Sequence, residues 1–166
     1  MTDKKAPKGR AGGLAVSDGV HIFPVRVYYE DTDAAGIVYY ANYLRFAERA
    51  RTEMLRALGI ESSRMMDESG IAFAVRRCEA DYLRPARLDD QLEVHSRLLA
   101  FKGASLALEQ KVVRPVDGAD IARLVVMLAC LKTAPGAGSG GIARIPEDVR
   151  RRLQAAHLQV FNDLGD

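Results

Sequence analysis

The pattern that most constrains the fold of this chain is one long amphipathic helix followed by a series of extended runs. Across residues 41–58, apolar side chains recur at helical spacing with charged ones opposite, and Gly59 is placed to end the helix. Four predicted strands follow, joined by short turns, at residues 71–82, 91–100, 105–113 and 124–133. Because parallel strands need longer crossovers, these connections favour antiparallel pairing. One face of the sheet must then cover the apolar stripe of the helix.

Two further predicted elements flank the helix and the four strands. Residues 23–29 alternate apolar and polar side chains as a strand does, and Pro146, Glu147 and Asp148 open a short final helix. The order of strand, long helix, four strands and short helix predicts an α+β domain. Residues 1–20, rich in Lys, Gly and Ala, are predicted to form a mobile tail, and residues 21–166 a single domain.

The composition argues against several classes of partner. The 166 residues include 24 Lys and Arg against 22 Asp and Glu, so the net charge of +2 does not favour nucleic acid. No apolar run approaches the roughly 18 residues that span a bilayer, and the basic start lacks the apolar segment of a secretory signal. The three histidines lack metal-ligand spacing, so neither a metal nor a cofactor is expected. We predict a cytoplasmic protein whose two cysteines, Cys78 and Cys130, are buried reduced thiols.

A glycine pattern near the C-terminus matches the phosphate-binding loop of dinucleotide-binding proteins. Gly136, Gly138 and Gly141 fit the spacing G-x-G-x-x-G after an apolar strand. A dinucleotide site also requires a helix that begins within those glycines and a second parallel strand beyond it. Here residues 142–146 intervene and the remaining chain is too short for that strand. The segment is therefore predicted to be a flexible loop.

The junction between the first strand and the long helix holds the candidate catalytic residues. Three acids stand there, followed by small residues that let a substrate approach the backbone: Glu30, Asp31, Asp33, Ala34, Ala35 and Gly36. The helix is predicted to begin near Tyr40, so its first free N–H groups lie about one turn of chain beyond Asp33. A carboxylate beside a helix N-terminus can attack a carbonyl while the N–H groups stabilise the oxyanion. An acidic turn whose Asp only caps the helix is the alternative.

Three segments of the chain, one of them spanning this junction, resemble one family. Residues 27–56 begin Val-Tyr-Tyr-Glu-Asp-Thr-Asp-Ala-Ala-Gly, residues 81–94 contain Arg-Pro-Ala-Arg-Leu-Asp-Asp, and residues 102–105 form the turn Lys-Gly-Ala-Ser. Together they resemble the 4-hydroxybenzoyl-CoA thioesterase group of hotdog-fold proteins. Within it, the chain is most similar to the small bacterial acyl-CoA thioesterases associated with the Tol–Pal system. The resemblance implies the hotdog fold, an antiparallel sheet wrapped around one long central helix.

The same resemblance assigns roles to individual residues. It implies that Asp33 is the catalytic carboxylate and that the backbone N–H of Tyr40 polarises the thioester carbonyl, although many members of the Tol–Pal-associated branch carry His at that position. Gly36 is implied to border the substrate, and Lys102 and Ser105 match the turn that contacts CoA. Less basic residues than expected fill that turn, so four arginines are alternative partners for the CoA phosphates: Arg76, Arg77, Arg84 and Arg87.

The implied reaction is hydrolysis of an acyl-CoA, short-chain aliphatic or aromatic, or of an acyl-carrier-protein thioester, without a cofactor. Asp33 either attacks the carbonyl to form a mixed anhydride or acts as general base for a water. Hotdog proteins pair their edge strands and place active sites between subunits, which implies a homodimer or homotetramer. Two alternatives are a non-catalytic acyl-binding or scaffold protein of the Tol–Pal envelope system and a hotdog dehydratase. Glu48, on the helix where other hotdog thioesterases carry a catalytic Glu, is predicted to make surface or interface pairs instead.

Overall fold

The protein is described by a computed structural model that covers residues 16–17, 19–133 and 140–162. Six strands and three helices make up this part of the chain. The strands are β1 (Val16–Ser17), β2 (Val20–Arg26), β3 (Ile71–Tyr82), β4 (Gln91–Lys102), β5 (Ser105–Arg114) and β6 (Ala119–Lys132). The helices are α1 (Asn42–Ala57), α2 (Ser62–Ser69) and α3 (Glu147–Asn162). None of the helices in the described ranges is long and apolar enough to cross a membrane.

The strands form a single antiparallel sheet. Their order is β1-β2-β4-β5-β6-β3, and every neighbouring pair is antiparallel, which confirms the pairing predicted from the short turns. Lys102 and Ser105 face each other across the tight turn between β4 and β5, where Gly103 has a φ of 57°. β3 pairs only with β6 in the described sheet, so one long side of β3 is an open edge.

Helix α1 lies across the sheet and fills the centre of the core. Phe46 and Ala50 are 1% and 0% exposed, and they pack in one cluster with apolar residues of β4 and β5 such as Val94 and Leu108. Gly59 follows the helix with a φ of 75°, the left-handed conformation that ends helices. The prediction of an α+β domain with a sheet covering an amphipathic helix is therefore confirmed.

The helices differ from the prediction in two ways. The final helix was expected to be short, but α3 has 16 residues, the same length as α1. Leu153 of α3 is fully buried, and the Arg152 side chain donates to the carbonyl of Leu58 at the end of α1. Helix α2 was not predicted, because only Met65 of its eight residues is buried and one buried residue makes no periodic pattern.

The first strand also has different bounds. It was predicted at residues 23–29, whereas β2 ends at Arg26 and the chain then forms a 3-10 turn at Tyr29–Asp31. The Asp31 carboxylate accepts a hydrogen bond from the N–H of Tyr28 at 2.8 Å, which bends the chain out of the sheet. β1, at Val16–Ser17, lies within the segment predicted as a tail, and residues 1–15 fall outside the described part of the chain. β6 begins at Ala119, five residues earlier than expected.

Only one cysteine is as buried as predicted. Cys130 lies in the core, where burial raises the pKa of its thiol, so the group stays protonated at neutral pH. Cys78 is exposed, contrary to the prediction, because it lies on the edge strand β3. The apolar residues around Cys78 suggested burial, but the sequence does not show that β3 is an edge strand. Of the glycine motif, Gly136 and Gly138 lie outside the described residues.

His21 gives the fold a pH-dependent weak point. The side chain on β2 is 1% exposed, and neither ring nitrogen has a hydrogen-bond partner in the described part of the chain. Burial lowers the pKa of His21 below its ordinary value of 6.5, opposed by the charge of Glu53. The unfolded chain therefore binds the proton more tightly, so stability present above pH 6.5 is lost as the pH falls below it.

We expect the substitution His21→Leu to remove part of this loss of stability at acidic pH. Leucine has a volume similar to that of histidine and no titrating group. The melting temperature of the variant should therefore fall less than that of the wild type between neutral and mildly acidic buffers. Differential scanning calorimetry at matched ionic strength measures the difference. Equal acid sensitivity in the two proteins would assign the loss to other groups.

Candidate active site

Asp33 lies in a tight hairpin turn between β2 and α1. Thr32 and Val38 form an antiparallel bridge, and the N–H of Asp33 donates to the carbonyl of Ile37 at 2.9 Å. Gly36, which donates back to the carbonyl of Asp33 at 3.0 Å, has a φ of 73° that a residue with a side chain adopts only with strain. No atom lies within 4 Å of the position a Cβ would take at Gly36, so the surface beside Asp33 is open.

One oxygen of the Asp33 carboxylate is held by a hydrogen bond, and the other is available to a substrate. Its Oδ1 accepts a hydrogen bond from the N–H of Ala35 at 2.8 Å, which orients the group. No donor in the described part of the chain contacts Oδ2, and the residue is exposed. A carboxylate held in this way keeps one oxygen for a substrate carbon or a water.

The neighbouring acid, Asp31, has a structural role. It is 8% exposed, and besides the bond to Tyr28 its carbonyl accepts from the side-chain amide of Asn42 at 2.9 Å and from the N–H of Tyr39 at 2.8 Å. These bonds fix the Asp33 turn against the first residue of α1. Glu30 is exposed and makes no side-chain hydrogen bond with any described residue. The three acids of the junction are therefore not equivalent.

The N-terminus of α1 presents open donors beside this turn. The N–H groups of Tyr39 and Asn42 donate to carbonyls, but within the described ranges the N–H of Tyr40 has no acceptor. The helix begins at Asn42, two residues later than predicted, and the Ala41 side chain makes no capping hydrogen bond. An uncapped helix start offers N–H groups and the positive end of a dipole to an oxygen that gains negative charge.

Three tyrosine rings, those of Tyr40, Tyr43 and Tyr82, lie together at the start of α1. Tyr82 of β3 lies with its ring centre 6.0 Å from that of Tyr40 and 5.8 Å from that of Tyr43. Burial raises the pKa of both Tyr43 and Tyr82, so both phenols are neutral at physiological pH. A cavity of about 300 Å³ opens here, lined by Ile37, Val38, Tyr40, Tyr43, Tyr82, Leu83, Arg84 and Pro85. Sequence reasoning missed Tyr82, since nothing local indicates that the end of β3 meets the start of α1.

The predicted CoA-contacting turn lies far from Asp33 within one chain. The Asp33 hairpin contacts the loop that precedes β4, where the N–H of Val38 donates to the carbonyl of Ala86. Lys102 and Ser105 stand at the other end of β4, about 35 Å away for a strand of this length. Ser105 Oγ donates to the carbonyl of Lys102 at 3.0 Å, which stabilises the turn. Asp33 and Tyr40 thus lie in one short segment that leads into α1, whereas Lys102 and Ser105 lie at the far end of β4.

The alternative basic residues are divided between two regions. Arg84 borders the tyrosine cavity and donates to the carbonyl of Asp120 at 3.0 Å, and Arg87 forms a bridge with Ile37 beside the Asp33 turn. Arg76 and Arg77 are exposed on β3, where Arg77 pairs with Glu79. Glu48 accepts a hydrogen bond from Thr52 on the surface of α1, as predicted.

Comparison with known proteins places the chain in a family. The family model of the thioesterase-like superfamily matches residues 27–153, most of the chain, so the chain belongs to that superfamily. The acyl-CoA thioester hydrolase YbgC of Escherichia coli O6:H1 is 45% identical over 119 residues, which cover 69% of this chain and 87% of that protein. The acyl-CoA thioesterase YbgC of Haemophilus influenzae is 45% identical over 109 residues, covering 66% of this chain and 79% of the relative.

A solved structure agrees with these relatives. A probable thioesterase from Bartonella henselae superposes with a TM-score of 0.68 at 32% identity, over 76% of this chain and 99% of the other. The predicted thioesterase family and hotdog fold are therefore confirmed. The matches do not themselves assign roles to Asp33 or Tyr40.

Proposed function

We propose that the protein hydrolyses acyl-CoA thioesters at the junction of the Asp33 turn and α1. The observation that carries this proposal is that one segment before α1 holds both a free carboxylate oxygen of Asp33 and an N–H of Tyr40 that has no acceptor among the described residues. The names of the two YbgC relatives support the substrate class. CoA thioesters are cytoplasmic metabolites, so the cytoplasm is the proposed location.

The proposed chemistry divides between these two groups. Asp33 Oδ2 attacks the thioester carbonyl and expels the CoA thiolate, leaving a mixed anhydride that water cleaves, or it takes a proton from the water that attacks. In either route the carbonyl oxygen becomes negatively charged and accepts the N–H of Tyr40 at the positive end of the α1 dipole. One such donor contributes about 10²–10³ in rate. The expelled thiolate takes a proton released by the water that is consumed, which gives CoA, and the acid leaves as the carboxylate.

The site also needs a second copy of the chain if Lys102 and Ser105 bind CoA. The Lys102 turn lies at the end of the sheet where Ile71 pairs with Lys132, whereas the Asp33 turn lies near Tyr82 at the other end of β3. When two β3 edges pair antiparallel about a two-fold axis, the Ile71 end of one copy meets the Tyr82 end of the other. The Lys102 turn of the partner subunit then approaches Asp33.

The exposed edge of β3 supports this pairing. Residues 75–79 are all exposed, and a long uncovered edge otherwise invites aggregation. A two-fold axis at Cys78 places Arg77 opposite Glu79 of the partner subunit and gives two opposite-charge pairs. An axis at Arg77 or at Glu79 instead brings like charges together, which is destabilising. We therefore propose a homodimer with Cys78 on the axis, from which a tetramer can be built.

The tyrosine at position 40 provides a specific test of the proposed donor. Because the main-chain amide and not the phenol acts on the substrate, we expect Tyr40→Phe to retain kcat within about threefold of the wild type, the variant preserving the helix start and the N–H. Steady-state kinetics of CoA release measure this. A loss as large as that of an Asp33 variant would assign the catalytic role to the phenol.

The activity itself is tested by release of free thiol from acyl-CoA. The purified protein should hydrolyse at least one member of a panel of short-chain, long-chain and aromatic acyl-CoA substrates, ranked by kcat/KM. Acyl-carrier-protein thioesters of the same acyl groups form the second arm of the panel. Tight binding of acyl-CoA without any thiol release would favour the non-catalytic acyl-binding alternative.

A further inference from the structure

A second cavity lies next to the tyrosine cavity, in the groove between α1 and β3. Its volume is about 300 Å³, and most of its lining is apolar: Leu44, Ala47, Glu48, Arg51, Val75, Cys78, Leu124 and Val126. A β-bulge between Val75 and Arg77 shifts the register of β3 by one residue. Val75 and Cys78, three positions apart, therefore both face α1, which residues at that spacing do not do in a regular strand.

The two cavities follow one another along the same groove. The lining passes from Tyr40, just before α1, to Tyr43 and Leu44 on the helix and then, two turns on, to Arg51. On β3 it runs the opposite way from Tyr82 through Cys78 to Val75. A chain bound with its carbonyl at the Tyr40 N–H can therefore extend along α1 to Arg51. The helix rises about 13 Å from Asn42 to Arg51. The Arg51 side chain leans back toward the helix N-terminus, which shortens that distance.

Arg51 is the unusual group in this cavity. The residue is 9% exposed, and its Nη1 donates to Oε1 of Gln110 at 3.0 Å. Gln110, fully buried, is itself held by donating to the carbonyl of Ala47 at 2.8 Å and to Ser96 Oγ at 2.9 Å. The guanidinium is thus fixed in place. Its Nε and Nη2 contact no acceptor in the described ranges, and neither atom is fully buried.

Within a single copy of the chain, the charge of Arg51 has no ion-pair partner among the described residues. No carboxylate of the described residues lies within 4.0 Å of it. Glu48, which lines the same cavity and whose charge acts on Arg51, is exposed and accepts its hydrogen bond from Thr52. Buried charges in proteins are normally paired, because an isolated one is costly to remove from water. An arginine remains charged in such a site, and its planar fork matches a carboxylate with two parallel hydrogen bonds.

We propose that Arg51 recognises a carboxylate at the far end of the acyl group, so that the protein prefers medium-length dicarboxylic acyl-CoA substrates. This inference rests on the proposed thioesterase function and adds the class of acyl group. The apolar walls of the groove hold the methylene chain, and the guanidinium receives the terminal charge where the cavity ends. Arg51 acts on specificity, since it lies away from the reacting carbonyl.

The test compares two substrates with acyl chains of the same length, adipoyl-CoA and hexanoyl-CoA, which differ only in the terminal carboxylate. The wild type should hydrolyse adipoyl-CoA with a kcat/KM about tenfold or more above that for hexanoyl-CoA, as a charged hydrogen-bonded pair provides. Arg51→Met keeps the length of the side chain without its charge and should abolish this preference. Arg49→Met, on the exposed side of α1, is the matched control and should keep it.

Each outcome separates the specificity from the activity. Hydrolysis of hexanoyl-CoA with equal or lower activity on adipoyl-CoA in the wild type would overturn the role of Arg51 and leave the proposed function standing. This comparison uses the native protein and does not depend on the folding of a variant. A wild-type preference that Arg51→Met retains would also overturn it. Failure to hydrolyse either compound, or any panel member, would overturn the proposed function as well.

Discussion

Replacing Asp33 by Asn is expected to lower kcat for acyl-CoA hydrolysis by about 10²–10⁴, the range that a positioned acid–base group contributes. The fold should remain intact, because the amide oxygen can still accept the hydrogen bond that the N–H of Ala35 gives to Oδ1. The second oxygen, which has no partner among the described residues, is replaced by an NH₂ group that can neither attack a carbonyl nor take a proton. KM should change little, since substrate contacts remain. Thiol release under saturating substrate measures the loss.

The neighbouring acid provides the control for this substitution. Glu30→Gln removes the same charge from the same exposed junction, but Glu30 makes no bond that positions the site. Its kcat should stay within about threefold of the wild type, in keeping with the small effect of exposed charges. A kcat near that of the wild type in Asp33→Asn, with circular dichroism showing a folded protein, would contradict the assignment of Asp33 as the catalytic carboxylate. A loss in Glu30→Gln as large as in Asp33→Asn would point to the net charge of the loop instead.

Mixed dimers are expected to recover activity that neither parent variant has. In the proposed dimer, each site combines Asp33 of one copy with Lys102 of the partner subunit. A dimer of Asp33→Asn with Lys102→Glu therefore contains one site with both lesions and one with neither. In the isolated mixed dimers one of the two sites is intact, so about half of the wild-type kcat/KM should return.

Co-expression with two different affinity tags isolates these mixed dimers. The matched control is a mixture in which both substitutions are carried by the same subunit and the other subunit is wild type. That mixed dimer has one lesion in each of its sites, so its activity should remain low. Equal activity of the two arrangements would show that Lys102 does not serve the site, and higher activity in the control would show that it serves the Asp33 of its own chain.

The parts of the fold that the sequence predicted are those with a repeated pattern. The stripe of α1 and the alternation along β3 to β6 extend over many residues, and the observed elements confirm them within a few positions. The errors lie where one contact decides the structure. The Asp31 carboxylate turns the chain after β2, and no propensity shows that its side chain will bond to Tyr28.

The candidate site was predictable only in its local part. Asp33 and Tyr40 lie seven residues apart, and the segment between them carries the resemblance that indicated their roles. Tyr82 meets that segment only because β3 ends beside the start of α1, and Arg51 is held in place by a glutamine of β5, neither of which a single sequence reveals. The separation of Lys102 from Asp33 by the length of β4 was likewise invisible, since a resemblance assigns residues to a site without saying which subunit provides them.

A crystal structure of Asp33→Asn with a bound acyl-CoA tests the central claim most directly, because the substitution should allow binding without turnover. The account predicts that the thioester oxygen accepts a hydrogen bond from the main-chain N–H of Tyr40, within about 3 Å. The side chain at position 33 should face the carbonyl carbon. A thioester bound elsewhere, with the N–H of Tyr40 still unoccupied, would contradict it.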